Sequence, residues 1–207
     1  MTLRYTYTLF APIYDAFVAP FTHRARRRSL ARLREGRHDD VLLVGVGSGL
    51  DLPLLPPGPH YTGLDLTPAM LARAQRQAAR LGLDIPLDQG DARQLPYPAA
   101  AFDVVVLHLI LAVTPHPERV LREAERVLRP NGRVLILDKF LRPRQRAPIR
   151  RLISPLLGLL ATRTDVVFDN VLAQTPGLEV IADQPALAGG WFRHIVLRKP
   201  VITAADQ

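Results

Sequence analysis

The sequence predicts an α/β fold: a doubly wound, mostly parallel sheet of seven strands with an antiparallel last strand, preceded by a helical N-terminal cover. Three observations carry this reading. Short apolar runs alternate with segments of helical periodicity. The first run, in "VLLVGVGSGLDLPLLP" (residues 41–56), breaks into the glycines Gly45, Gly47 and Gly49. Two late strand-like runs, joined by a turn-rich loop, suit a closing hairpin that reverses the last strand.

The elements follow in order. Residues 41–45 are a β-branched and leucine run ending at glycine, a buried strand by length and flanks. Residues 60–66 form the second strand. The spacing predicts a helix over 67–81, with Thr67 as cap and Pro68 in the first turn. Met70, Leu71, Ala74, Ala78 and Leu81 supply its apolar stripe, and Gly82 stops it. A weaker third strand spans 85–89. "FDVVVL", residues 102–107, is apolar on both faces and belongs in the middle of the sheet. A helix over 117–128 is halted by "RPNG", and a fifth strand spans 133–138. Residues 178–183 and 192–197 make the closing pair.

Composition bounds the function. The 207 residues, 48% hydrophobic and 22% charged, describe one folded domain (1–207) with a real core. With no cysteine, disulfides, thiolate metal sites and cysteine nucleophiles are excluded, and no metal site is expected. The formal net charge of +8 favours an anionic partner: nucleic acid, an acidic membrane surface or an acidic substrate. The N-terminus carries charges and tyrosines where a signal peptide needs an apolar core, so a cytoplasmic location is expected. No stretch reaches the roughly 18 apolar residues of a spanning helix.

The glycines lie at the carboxyl end of the first strand, where ligands approach sheets of this kind. About twenty residues on, at the spacing of a ribose-binding acid, Asp65 ends the second strand. A dinucleotide fingerprint would put its last glycine at Leu50, so a diphosphate cradle is missing. A nucleoside without phosphates fits better. Asp91, just after the third strand, is placed to meet an adenine amino group. The plain alternative is that Asp65 and Asp91 cap the turns after their strands.

"VLLVGVGSG", "GLDLTPAMLARA", "QGDARQLPYPAAAFDVVVLHLIL" and "VLREAERVLRPNGRVLILDKF" occur in this order over most of the chain. In this the sequence resembles the class I S-adenosylmethionine-dependent methyltransferases. The resemblance implies a Rossmann-like fold and S-adenosylmethionine as cofactor. It implies cofactor-binding roles for Gly45, Gly47, Gly49, Asp65, Leu66, Met70, Asp91, Ala92 and His108. The chain departs from the family at Leu43, two residues before the first glycine, where an acid is usual; Asp51 is the candidate electrostatic substitute.

The methyl acceptor has to be read outside the cofactor sheet. Residues 1–37 form an N-terminal cover with Arg24, Arg28 and Arg32 on one i, i+4 stripe and Arg26, Arg27 and Arg34 beside it. Residues 142–165 repeat the theme, with arginines ahead of an apolar helical stripe. Two basic-amphipathic segments point to an anionic membrane surface. Solvated arginines on ordinary covering helices are the alternative. Nucleic acid is disfavoured, because "HLIL" replaces the Asn/Asp-Pro-Pro-aromatic run usual in methyltransferases of base amines.

"LFAPIYDAF", "VGVGSGLDLPLLP" and "LILDKF" are most similar to bacterial phosphatidylethanolamine N-methyltransferases, with quinone-biosynthesis methyltransferases as near relatives. That resemblance implies a phospholipid amine as acceptor and a peripheral position on the inner face of the cytoplasmic membrane. A quinone precursor or a soluble small molecule is the alternative acceptor. A dehydrogenase is disfavoured by Leu50, and a non-catalytic binding protein is kept open by Leu43. Candidate catalytic residues are Tyr5, Tyr14 and His108, with Tyr7 beside them; tyrosine faces suit a methylated cation. For His108 a structural, hydrogen-bonded role is the alternative. His194, within a late strand, is expected to be structural.

Overall fold

The computed structural model describes residues 20–35, 40–140 and 166–201. Tyr5, Tyr7, Tyr14 and the segment 142–165 lie outside the described residues. Helix α1 occupies residues 20–30 and runs into a single 3₁₀ turn, Ala31–Arg34. The sheet strands are β1 (Asp40–Val44), β2 (His60–Asp65), β3 (Leu87–Gln89), β4 (Phe102–His108), β5 (Leu128–Lys139), β6 (Glu179–Leu187) and β7 (Phe192–Arg198). The helices between them are α2 (Pro68–Leu81), α3 (Pro117–Val127) and the short α4 (Phe168–Leu172).

The strand order is β3-β2-β1-β4-β5-β7-β6. β1 to β5 are parallel, and β7 runs antiparallel to both of its neighbours, as the closing-hairpin reading expects. Side chains alternate across the central strand β1. Val41 and Leu43 pack on one face with Leu30, Leu71 and Ala74, from α1 and α2. Leu42 and Val44 pack on the other with Leu121, Ala124 and Phe168, from α3 and α4. Leu43 is therefore core, and an acid there would need a buried partner.

Three boundaries differ by two residues or more from the sequence reading, and one cap lacks its expected hydrogen bond. β3 starts at Leu87, because Pro86 has no N–H for the ladder; its carbonyl accepts from Gly63 N instead. β5 starts at Leu128, ahead of the "PNG" turn, where Asn131 takes a left-handed φ of 67°. β6 continues through Pro185, which is tolerated because β6 is the sheet edge and its register is irregular there. Thr67 does occupy the N-cap of α2, but its side chain makes no capping hydrogen bond.

The cover helix is fastened to the sheet. His194 on β7 donates from Nε2 to the Ala25 carbonyl at 2.9 Å. Phe21 meets Phe192 edge-to-face at 6.2 Å. Arg28 and Arg32 both reach Gln184 on β6, so two members of the arginine stripe turn toward the sheet edge. His194 Nδ1 is buried with no partner among the described residues. Burial, with His108, Arg28 and Arg32 adding to it, outweighs the Ala25 hydrogen bond and brings the imidazole down to about 4.

A histidine kept neutral in the fold stabilises it above the imidazole's ordinary range near 6.5 and loses that contribution as pH falls toward 4. Relative to His194→Leu, the wild-type protein should lose roughly 2 kcal/mol between pH 6.5 and 4.5. Urea unfolding of both proteins at the two pH values measures this; parallel profiles would contradict it.

Candidate active site

The carboxyl ends of β1, β2 and β4 converge on the glycine loop. All three glycines adopt positive φ: 72° at Gly45, 57° at Gly47 and 88° at Gly49. Their reasons differ. A Cβ on Gly45 would sit 2.7 Å from Ile110 Cδ1, and one on Gly49 would sit 2.9 Å from Leu52 Cδ1 and 3.2 Å from the Ala74 backbone. Those two positions are packed. A Cβ on Gly47 would meet nothing closer than 3.9 Å, so Gly47 faces the open space in which a ligand can lie against the chain.

Asp65 locks this loop. Its Oδ2 accepts the Gly47 N–H and its Oδ1 accepts the Thr67 N–H, each at 2.9 Å. Burial pushes its carboxyl above the usual range, against the lowering effect of these donors. Each carboxylate oxygen keeps a further lone pair for a ligand hydroxyl. Leu66, next along, is an exposed apolar residue, and Met70 is half-buried on the first turn of α2. Asp91 follows β3 but is not bare. Arg93 grips it through Nε at 3.0 Å and a terminal nitrogen at 2.7 Å, and this hydrogen bonding holds the carboxyl below its usual range. Ala92 packs beside it against the core.

His108 ends β4 and is buried. Nδ1 lies 3.0 Å from Asp51 Oδ2, and Nε2 lies 2.9 Å from Ser29 Oγ on α1. Asp51 also pairs with Arg26 of α1 at 2.9 Å, and Arg26 Nε donates to Thr22 Oγ1. Burial alone would push the Asp51 carboxyl up. The Arg26 guanidinium and His108 overcome that and hold it well below the usual carboxylate range. Asp51–His108–Ser29 has the hydrogen-bond order of a nucleophilic triad, but Ser29 is only 3% exposed, on the inner side of a helix, where no substrate carbonyl can reach it. The cluster is a tether between the cover, the glycine loop and β4. Asp51 thus spends its charge on Arg26 and His108.

Sequence reasoning missed Arg26 and Ser29, whose partners lie 25 and 79 residues away. The i, i+3 spacing of the pair on α1 was the available signal. It also missed Leu109, a non-glycine residue at φ 59° just after His108. Such backbone strain costs about 1–3 kcal/mol and collects at functional sites. It places Ile110 against Gly45.

A protein-family model described as a methyltransferase domain matches residues 42–136. The chain is 37% identical over 186 residues to the phosphatidylethanolamine N-methyltransferase of Cereibacter sphaeroides, covering 88% of this chain and 91% of that one. This chain belongs to the class I S-adenosylmethionine-dependent methyltransferases. A demethylmenaquinone methyltransferase of Thermus thermophilus is 36% identical over 119 residues, 56% of this chain and 54% of that relative. Among solved structures, the cyclase SpnF shares the fold at a TM-score of 0.79 and 18% identity, over 97% of this chain and 96% of that one. The methyltransferase uses S-adenosylmethionine as its methyl donor.

Removing one member of a buried ion pair leaves the other charge uncompensated. Asp51→Asn should therefore cost the methyltransferase about 3–5 kcal/mol of stability. Asp51→Asn combined with Arg26→Met should recover part of it. Urea denaturation of the three proteins at pH 7 checks both; a single variant as stable as the wild type would contradict the tether.

Proposed function

We propose that this methyltransferase N-methylates phosphatidylethanolamine or its mono- and dimethylated forms at a membrane surface. The observation that carries the reading is the 37% identity to a phosphatidylethanolamine N-methyltransferase across nine-tenths of that relative. Charge supports it. Arg24 and Arg27 of α1 are exposed, beside the 55% exposed Phe21, a basic and apolar face suited to an anionic bilayer. Among the described residues no helix is long and apolar enough to cross a membrane. The proposed contact is peripheral, on the inner face of the cytoplasmic membrane. Anionic lipid and the phospholipid substrate would be its partners.

The residues at the strand ends fit S-adenosylmethionine. Gly47 leaves the space a Cβ would fill, and Asp65 has acceptor capacity beside it for ribose hydroxyls. Leu66 and Met70 would cover the adenine, with Asp91 and Ala92 at its edge and Gly45 and Gly49 shaping the loop. The cofactor supplies an electrophilic methyl group on a sulfonium. The chain's own task is to align a neutral amine with that methyl in a space free of water. The amine must be deprotonated to attack, so an acceptor for its proton helps. Tyr14 and Tyr5 of the cover are the proposed residues for holding the amine. His108, with both nitrogens engaged by Asp51 and Ser29, enters as a positioning residue at the end of β4.

Methylation of a quinone precursor is the second reading, favoured by the demethylmenaquinone methyltransferase relative. Purified protein is given S-adenosylmethionine and phosphatidylethanolamine in mixed micelles, and mono-, di- and trimethylated lipid is followed by mass spectrometry. Methylated lipid is expected. A protein that binds cofactor, leaves the lipid untouched and methylates demethylmenaquinone has the other acceptor. Tyr14→Phe should lower kcat while leaving cofactor affinity unchanged.

The cofactor site has its own test. Asp65→Ala should weaken S-adenosylhomocysteine binding by about 1–3 kcal/mol, and Gly47→Val should weaken it further. Calorimetry giving unchanged affinity in both would remove these residues from the site.

A further inference from the structure

The crossover from β1 to β2 is unusually thin. Pro53, Pro56, Pro57 and Pro59 confine it to one 3₁₀ turn, Leu52–Leu54, so no long helix fills the space between α1 and α2 on that face of the sheet. A groove of about 490 Å³ lies there. Its walls are basic from both sides: His23 and Arg26 of α1, and Arg73, Arg76 and Arg80 of α2. Arg26 is neutralised by Asp51. Arg76 and Arg80 are exposed and make no ion pair among the described residues, and no acid lines the groove among them.

Arginines three, four and seven residues apart share one helix face and repel each other. A bound anion reverses that cost. Ser48 also lines the groove; its hydroxyl oxygen is buried just under the surface and has no hydrogen-bond partner among the described residues. Buried hydroxyls are nearly always paired, so this one, next to a basic groove, is a donor left over for an acceptor oxygen. Guanidinium forks match phosphate oxygens in pairs, which a single ammonium cannot do.

We propose that this groove between α1 and α2 is a binding site for a phosphate group, separate from the cofactor-binding face of the glycine loop. A lipid headgroup and free phosphate present the same recognition chemistry, and the two arms of the test distinguish them. Ser48 and Gly49 belong to both the groove and the glycine loop, so the site touches the cofactor loop from behind. This assignment does not depend on which acceptor is methylated.

The test uses Arg76→Gln/Arg80→Gln in the full chain, and as control Arg119→Gln/Arg122→Gln, which removes the same charge from exposed positions on α3. In the first arm, thermal stability is followed against inorganic phosphate, with sodium chloride at matched ionic strength. Phosphate should raise the melting temperature of the wild type and the control above the chloride baseline, and not that of the groove variant. In the second arm, sedimentation with phosphatidylglycerol vesicles and with phosphatidylcholine vesicles measures lipid binding. A lipid headgroup as occupant predicts that the groove variant loses roughly 25-fold in affinity for the anionic vesicles, about fivefold per arginine, against a smaller loss in the control. Phosphate stabilisation with unchanged vesicle binding identifies free phosphate as the occupant. The proposal is overturned if the wild type shows no phosphate-specific stabilisation, or if groove variant and control behave alike in both arms. S-adenosylhomocysteine affinity, measured in parallel, should be the same in all three proteins, which separates failure of this site from failure of the cofactor site.

Discussion

The buried ion pair and hydrogen bonds of Asp51 tie together three parts of this structure. Asp51 sits at the end of the glycine loop, 6% exposed, and accepts from Arg26 of the cover helix and from His108 of the central strand β4. Taking a carboxylate out of water is expensive, and the cost is met only because two partners and a serine hydroxyl complete the network. Three pieces of chain remote in sequence are thereby held in one arrangement: α1 over the sheet, the loop at the end of β1, and the point where β4 gives way to the strained Leu109. Hydrophobic packing alone would bring these elements together without fixing their angles, since burial is not directional. The ion pair and its hydrogen bonds supply direction.

The loop itself depends on a second carboxylate. Asp65 accepts from Gly47 and Thr67, which ties the end of β1 to the end of β2. The two acids divide the work. Asp51 is buried against the cover and engaged by Arg26 and His108, whereas Asp65 lies beside the open side of Gly47 and keeps lone pairs free. Leu43 belongs to the core beneath α1 and α2, and the loop that follows it is held by Asp65 and Asp51.

The prolines of the β1–β2 crossover have a consequence beyond shaping a loop. By preventing a long helix they leave α1 and α2 facing each other across a basic groove. The exposed cations of the groove come from Arg76 and Arg80 on α2, and α1 adds exposed arginines beside Phe21 at its outer end. Among the described residues, the groove and the outer end of α1 thus form a basic surface that a negatively charged partner can read.

Periodicity and glycine placement were enough to determine the layered α/β fold, the strand order's parallel core and the reversed β7. These features follow from local rules: side chains alternate every second residue in a strand, recur at helical spacing in a helix, and glycine alone tolerates the φ values of the loop. Asp65 at the end of β2 was legible for the same reason, because its place is set by a strand end. Tertiary structure alone decided what each polar side chain faces. His108 reads in sequence as a residue at the mouth of a site, yet both its nitrogens are spent on Asp51 and Ser29. Asp91 reads as an open carboxylate, yet Arg93 two residues later folds back onto it. Arg26 reads as one more solvated arginine of a basic stripe, yet it is buried on Asp51. Side-chain partnership is a contest among all groups within a few ångströms, most of them distant along the chain, and its outcome depends on burial and geometry that no local pattern encodes.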